Sequence, residues 1–477
     1  MTTLVGLDVG TTGVKALTVS PDGEVLARVE ETYPLSTPQP GWAEQDPENW
    51  WRAAEAALAK LDADDLAGIG LAGQMHGLVV LDERARVLRP AILWNDQRTA
   101  VECAEIEERL GLRRLVELTG NRALPGFTAP KLLWLRRHEP EVYARIAHAL
   151  LPKDYVRLRL TGERATDVAD ASGTLLLDVA RRRWSDEVLA ALEIPAEWLP
   201  PVAESAARTG QTPDGVAVAA GAGDQAAGAL GVGVDRPGPL SIVLGTSGVV
   251  FAALPAFAAD PEGRVHSFCH AVPGGWHAMG VMLTAAGSLR WVRDTVAPGE
   301  SFETLIAEAE RWPPGSEGLV FLPYLAGERT PHADPNVRGA FVGLSLRHGR
   351  GALVRAVLEG VAFGLRDSLE LLKELGVEPR VGRVSGGGAR SDLWLRIVAS
   401  VLGVPLERAV TEDGAAYGAA LLAGTAAGVF ADVHEAVDVC VRVRDRIEPD
   451  TAWEDAYTNE YERFRALYPA LRPLEEP

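Results

Sequence analysis

The feature that most restricts the fold of this 477-residue chain is a strand–turn–strand unit that occurs twice, about half a chain apart. In the first copy Leu4–Val9 is apolar and β-branched, Gly10-Thr11-Thr12-Gly13 turns the chain, and Val14–Val19 forms a second strand. Pro21-Asp22-Gly23 then turns the chain into a third run, Glu24–Tyr33, completing an antiparallel meander. In the second copy the apolar segment Leu240–Leu254 is broken by Gly245-Thr246-Ser247-Gly248 and continues as Val249-Val250-Phe251. Two such units predict a duplicated architecture, each half giving one hydroxyl-bearing turn to a shared cleft. The first glycine turn leads to a strand and lacks Gly-Lys-Ser/Thr, so it is not a P-loop.

Helical and strand patterns alternate after each meander, as in Trp50–Lys60 (helix), Ala67–Gly73 (strand) and Leu353–Leu375 (long helix). The class is therefore α/β with mixed sheets. Asp46 followed by Pro47 suits the cap and first turn of the helix through Trp50. The linker-like segment Gly233–Pro239 sets the expected division into 1–236 and 237–477. A tail helix carries Trp453, Tyr457, Tyr461, Phe464 and Leu467 on one face, a pattern for docking on a core.

With 47% hydrophobic and 24% charged residues, the chain can bury a large core. A net charge of −19 argues against nucleic acid, which requires a basic face, and short runs such as Arg181-Arg182-Arg183 read as solvated surfaces. It does not argue against a nucleotide whose phosphates are met by backbone N–H groups and Mg²⁺. Cys103, Cys269 and Cys440 lie too far apart for a zinc site and do not form a disulfide framework. No apolar stretch of roughly 18 residues runs without breakers, so neither a signal peptide nor a membrane span is expected, and a cytoplasmic location is.

Phosphoryl transfer needs donors around the transferred group, a metal to offset charge and a base for the attacking hydroxyl. Thr11, Thr12, Gly245 and Thr246 are candidates to cradle phosphate oxygens, with ordinary hairpin chemistry as the alternative. Asp8 sits inside a strand, where a carboxylate is costly unless compensated. Either Mg²⁺ held through water or nearby turn N–H groups would compensate it. Asp224 follows the strand Val216–Ala220 and precedes the small-residue helix Ala226–Leu230, so it is either a general base at a cleft mouth or an N-cap. Gly221, Gly223 and Gly228 leave room there for a ligand.

His76, in Gln74-Met75-His76-Gly77, ends a strand where open α/β sheets present ligand contacts, and it is a candidate for sugar hydroxyls with Met75 giving apolar contact. A structural histidine is the alternative. Ser385–Asp392, with Gly387, Gly388 and Ala389, follows the strand Val381–Val384 and opens a helix to about Leu402, a place where a nucleotide can approach backbone. The polar, proline-punctuated Gly327–Pro335 reads as a loop, with Arg329 a candidate to neutralise phosphate charge and His332 to lie near substrate, and a solvent-exposed turn as the alternative.

Gly6-Leu7-Asp8-Val9-Gly10-Thr11-Thr12-Gly13 resembles the opening of the FGGY carbohydrate kinases. Phe127–Trp134 resembles that family's first signature and Gly343–Glu359 its second, so the likeness runs along the whole chain. The resemblance implies an actin-like ATPase (ribonuclease H-like) fold, with two similar domains around a central cleft. It implies Asp224 as proton acceptor, Asp8 near Mg²⁺, Met75, His76 and Gln225 at the sugar, and adenine-nucleotide contacts at Gly387, Gly388 and Ala389. Gln74–Gly77, Gly223–Gly228 and Leu325–His332 are most similar to the members that phosphorylate D-xylulose, while glycerol kinases differ at all three. Two positions depart from that pattern: Gln225, where some members have Asn, and Ala72, where Ser is frequent. Another ketose or a polyol, such as ribulose or deoxyxylulose, is the alternative acceptor, and a non-enzymatic actin-like nucleotide switch is the rival from another class. The implied partners are a small-molecule sugar and ATP, without nucleic acid or membrane, and a homodimer stays open.

Overall fold

The computed structural model describes residues 2–61 and 65–474. Thr3–Val9, Gly13–Val19 and Val25–Thr32 form the predicted antiparallel meander, each strand paired with the next. Leu66–Gly73 adds in parallel beside Thr3–Val9, and Ala217–Ala219 adds in parallel beyond it. Arg208–Gln211 closes that edge antiparallel. The parallel strands are almost wholly buried, as expected for a sheet covered on both faces.

The second sheet repeats this plan. Pro239–Leu244, Gly248–Leu254 and Trp276–Met282 form its meander, and Val381–Ser385 and Leu406–Ala409 continue in parallel from the first of them. Val443–Ile447 closes the edge antiparallel, and His266–Cys269 extends the opposite edge. Strand order and direction agree between the halves position by position, apart from that added strand. The fold is two similar mixed α/β units, the duplication read from the two glycine turns.

Pro47–Leu61 forms the first predicted helix, with Asp46 Oδ1 accepting the Glu48 N–H at 3.0 Å. The long helix spans Arg350–Glu374 and runs through the largest apolar cluster. The tail helix Glu454–Leu471 docks there through Tyr457, Tyr461 and Phe464, all buried. The run Arg181–Arg183 departs from expectation. Arg181 and Arg183 are exposed, but Arg182 is only 12% exposed, because its guanidinium pairs with Glu204 and donates to Gly275 O across the two halves.

The helix Gly414–Ala426 belongs to the second half of the chain but packs on the sheet of the first and on the helix Asp224–Gly231. Glycines make the approach possible. A Cβ on Gly6 would lie 1.9 Å from Ala416 O, one on Gly70 1.9 Å from Ala419 O, and one on Gly418 1.9 Å from Ala227 O. Gly418→Ala is expected to lower stability by about 1–3 kcal/mol through overpacking, despite alanine's better helix propensity. Gly349→Ala, where nothing lies within 4 Å of the added carbon, is the control without overpacking, its cost limited to the preference for glycine over alanine at a helix N-cap. Equal thermal midpoints for the two variants would contradict the packing described.

Candidate active site

Three parallel strand ends meet at one level. Asp8 stands in register with Ala72, and Ala72 with Ala222, so Asp8, the Gln74–Gly77 segment and Asp224 leave the sheet side by side at its carboxyl edge. This is where open α/β sheets bind ligands. Met75 packs directly on Gly223, since a Cβ at Gly223 would lie 2.8 Å from Met75 Cγ. The structure therefore brings Met75, His76, Asp8, Asp224 and Gln225 together.

Asp224 is the first residue of its helix, and the N-cap position is Gly223, which makes no side-chain cap bond. Asp224 is therefore not the N-cap residue, although its carboxyl still meets the Gln225 N–H of the first turn. Its Oδ1 accepts a 3.4 Å hydrogen bond from Gln225 Nε2. Burial, followed by the nearby charge of Asp8, pushes the Asp224 carboxyl up to about 7. Burial likewise pushes Asp8 up to about 6, opposed by Lys15, its cross-strand partner. Asp8 Oδ1 is buried without a hydrogen-bond partner among the described residues, so turn N–H groups do not compensate it. An unsatisfied carboxylate oxygen of this kind fits a hydrated Mg²⁺.

His76 adopts a left-handed backbone (φ 67°), which is uncommon for a residue with a side chain. Its carbonyl is held by Lys131 Nζ at 2.8 Å and Thr128 Oγ1 at 3.0 Å, two residues of the first signature segment. The Lys131 ammonium is fully buried and also donates to Gly126 O at 2.6 Å, and burial holds it well below its usual range. The His76 ring lies edge-on to Phe127 and contacts Gly173 O through Nδ1 at 2.6 Å. A carbonyl only accepts, so Nδ1 carries the proton and Nε2 keeps its lone pair. Burial lowers the imidazole to about 3, which keeps it neutral.

The two glycine turns differ in how free their hydroxyls are. Thr11 Oγ1 accepts from Trp94 Nε1 at 2.9 Å and donates to Gln74 Oε1 at 3.4 Å, so it braces the turn. Thr12 is exposed at the tip. In the second turn Thr246 is exposed, and the carbonyls of Gly245 and Thr246 each accept a 2.8 Å bond from the start of the helix Ala286–Val296.

A cavity of about 310 Å³ opens beside Gly386, Gly387 and Ala389 and is completed by Lys15, Thr411 and Asp413. Its size suits part of a nucleotide. Gly388 is not in its wall: it faces the core, where a Cβ would lie 2.8 Å from Leu244 Cβ and 3.0 Å from Trp394. Lys15, Lys131, Trp94 and Asp413 were not singled out from the sequence. Lys15 carried a signal, being a charge inside a strand like Asp8. The other three are brought to the site only by distant packing. No group of three or more His, Cys, Asp or Glu side chains able to hold a metal occurs among the described residues.

The model of the FGGY family of carbohydrate kinases matches the chain in two parts, its N-terminal domain over residues 3–231 and its C-terminal domain over 240–427. A xylulose kinase of Escherichia coli strain K12 is 45% identical, over 98% of this chain and 99% of its own length. Among solved structures, a xyloylose kinase from Brucella ovis superposes with a TM-score of 0.93 at 44% identity, covering 99% of this chain and 100% of the other. A ligand-bound xylulose kinase from Lactobacillus acidophilus gives 0.94 at 27% identity, covering 99% of each. With both family domains matched in order on a duplicated fold, the chain belongs to the FGGY family of carbohydrate kinases.

Proposed function

We propose that this carbohydrate kinase transfers the γ-phosphoryl group of ATP to D-xylulose, giving D-xylulose 5-phosphate. The observation that carries the proposal is the convergence of Asp224, Asp8 and the Met75–His76 pair at one sheet edge. The 45% identity to a named xylulose kinase over nearly the full length supports the choice of sugar. In this reading residues 1–236 hold the sugar and the first phosphate turn, and residues 237–477 supply the second turn and the nucleotide cavity. A cytoplasmic location fits the use of ATP.

The division of labour follows from the side chains. Asp224 takes the proton from the terminal hydroxyl as that oxygen attacks the γ-phosphorus. A base whose proton affinity is raised toward neutrality accepts a proton better than an ordinary carboxylate, yet is still ionised enough to act. His76 Nε2 accepts from a sugar hydroxyl, Met75 gives apolar contact and Gln225 offers an amide beside the reacting end. Thr12, Thr246 and the N–H groups of the Gly10–Gly13 and Gly245–Gly248 turns receive phosphate oxygens, while Thr11 keeps the first turn in shape. Gly387 and Ala389 border the nucleotide, and Gly388 lets that segment lie against Leu244. Mg²⁺, when bound, neutralises charge on the phosphate oxygens, and Asp8 is the residue that would hold it through water. Bringing the halves together aligns hydroxyl and phosphate and limits transfer to water.

A panel of D-xylulose, D-ribulose, 1-deoxy-D-xylulose, glycerol and xylitol, followed by coupled ADP release, tests the acceptor. D-xylulose is expected to give the highest kcat/KM. ATP binding without sugar-dependent ADP release would reject the enzyme reading in favour of a nucleotide switch. Asp224→Ala is expected to lower kcat by about 10²–10⁴ while sugar binding, followed by calorimetry, is retained. Turnover that survives the substitution would remove Asp224 from the base role. The acid limb supplies a further check. A base works ionised, and the Asp224 carboxyl sits near 7, so kcat/KM at subsaturating ATP should fall about tenfold per unit as pH drops below that value. A flat profile down to about pH 5.5 would show that no such base limits the reaction.

A further inference from the structure

We infer that Arg329, from the second half of the chain, is a sugar-contact residue that donates hydrogen bonds to ketose oxygens on the His76 side of the cleft. The inference deepens the sugar kinase reading and rests on it. Its starting point is the Gly327–Pro335 loop, which is not an exposed turn: Glu328 and Thr330 are 2% and 1% exposed.

The loop is fixed to the sugar end of the cleft by its neighbours. Thr330 N donates to Val281 O at 3.0 Å, and Thr330 Oγ1 accepts from Val281 N at 3.1 Å and donates to Arg264 O at 2.9 Å. Val281 belongs to the same apolar cluster as Met75 and Phe127. His266, two residues after Arg264, has its ring 5.7 Å from that of Phe127, which in turn lies 4.6 Å from the His76 ring. Arg329 thus leaves the backbone where the second half faces His76. Its charge reaches both imidazoles, adding to burial in holding His76 and His266 neutral.

The guanidinium is partly buried, and it forms no hydrogen bond or ion pair among the described residues. Burial lowers the Arg329 guanidinium from its usual range and the neighbouring Glu328 only opposes this, without forming an ion pair with it. Glu328 Oε1 accepts the Leu283 N–H at 2.9 Å and the Arg329 N–H at 2.7 Å, and burial pushes the carboxyl up to about 8. At neutral pH that carboxyl is mostly uncharged. None of its nitrogens is among the fully enclosed, unsatisfied polar atoms of the described residues, so the Arg329 fork stays open to an oxygen-rich ligand. Five donors in a planar fork suit two adjacent oxygens of a polyhydroxy ketone. The residue would also tie sugar recognition to closure, since the fork and the Met75–His76 pair come from opposite halves.

Arg329→Met, which keeps length and removes the donors, and Arg329→Lys, which keeps charge and loses the fork, test the proposal. The assay uses whichever sugar of the panel the wild-type protein turns over best, so a different sugar changes the substrate and not the test. Arg329→Met is expected to raise the sugar KM about 10- to 100-fold, the effect of losing a charge-assisted hydrogen bond, with the KM for ATP within about twofold. Arg329→Lys should recover part of the loss. Thermal midpoints equal to that of the wild-type protein show that the variants are folded. An unchanged sugar KM in a folded Arg329→Met protein, or an equal rise in both KM values, would overturn the assignment.

Discussion

The structure depends on a backbone-to-backbone contact where the two halves of the chain cross. The helix Gly414–Ala426 lies on the strands that carry Gly6 and Gly70, and against the helix that begins with Asp224. At these crossings the neighbouring atom is a carbonyl oxygen or an amide nitrogen, neither of which can move aside as a side chain can. Close approach of this kind requires glycine and alanine on both surfaces, and the sequence Gly414-Ala-Ala-Tyr-Gly418-Ala-Ala supplies them. The same crossing sets where Asp224 stands, because the helix it begins is held by Gly231 and Ala227 against Gly414 and Gly418.

Charge is arranged around that joint so that each half needs the other. Asp413, just before the crossing helix, pairs with Arg28 at 2.7 Å and Lys15 at 3.4 Å on the first meander. Lys15 in turn lies opposite Asp8 in the strand register, and its charge moderates the cost of burying that carboxylate. Beside the strand that ends at Gly73, one buried lysine serves three buried carboxylates: Lys153 Nζ is 2.6 Å from Asp154, 2.9 Å from Asp167 and 3.5 Å from Asp170. Burial and the surrounding negative charges hold Asp170 well above the ordinary carboxylate range. Asp224 faces this acidic surround and Asp8, and the low-dielectric setting that makes its ionised form costly also equips it to accept a proton.

The fold was largely legible because the duplication is written in local chemistry. The meanders, the Leu66–Gly73 strand, the long Arg350–Glu374 helix and the docking face of the tail helix all follow from periodicity and turn residues. The candidate site was legible where a residue broke its local pattern: Asp8 as a carboxylate in a buried strand, Asp224 between glycines, Met75–His76 at a strand end. Arg182 misled for the same reason in reverse. A run of three arginines reads as a solvated face, and only the fold brings Glu204 and Gly275 to the middle one.

Sequence by itself determined the two glycine turns, the elements that follow them and which side chains have chemistry to offer, because each of these is settled by neighbours within a few residues. Tertiary structure decided which of those side chains lie near one another. Asp8, His76, Asp224 and Arg329 are separated by long stretches of chain, and strand register and loop anchoring, not spacing, bring them to one cleft. It also decided that Gly223 and not Asp224 takes the N-cap position, that Thr11 braces its turn while Thr12 is exposed, and that Gly388 faces the core. Each of these outcomes depends on what lies across space from the residue, a property that packing of distant segments creates and local propensity does not contain.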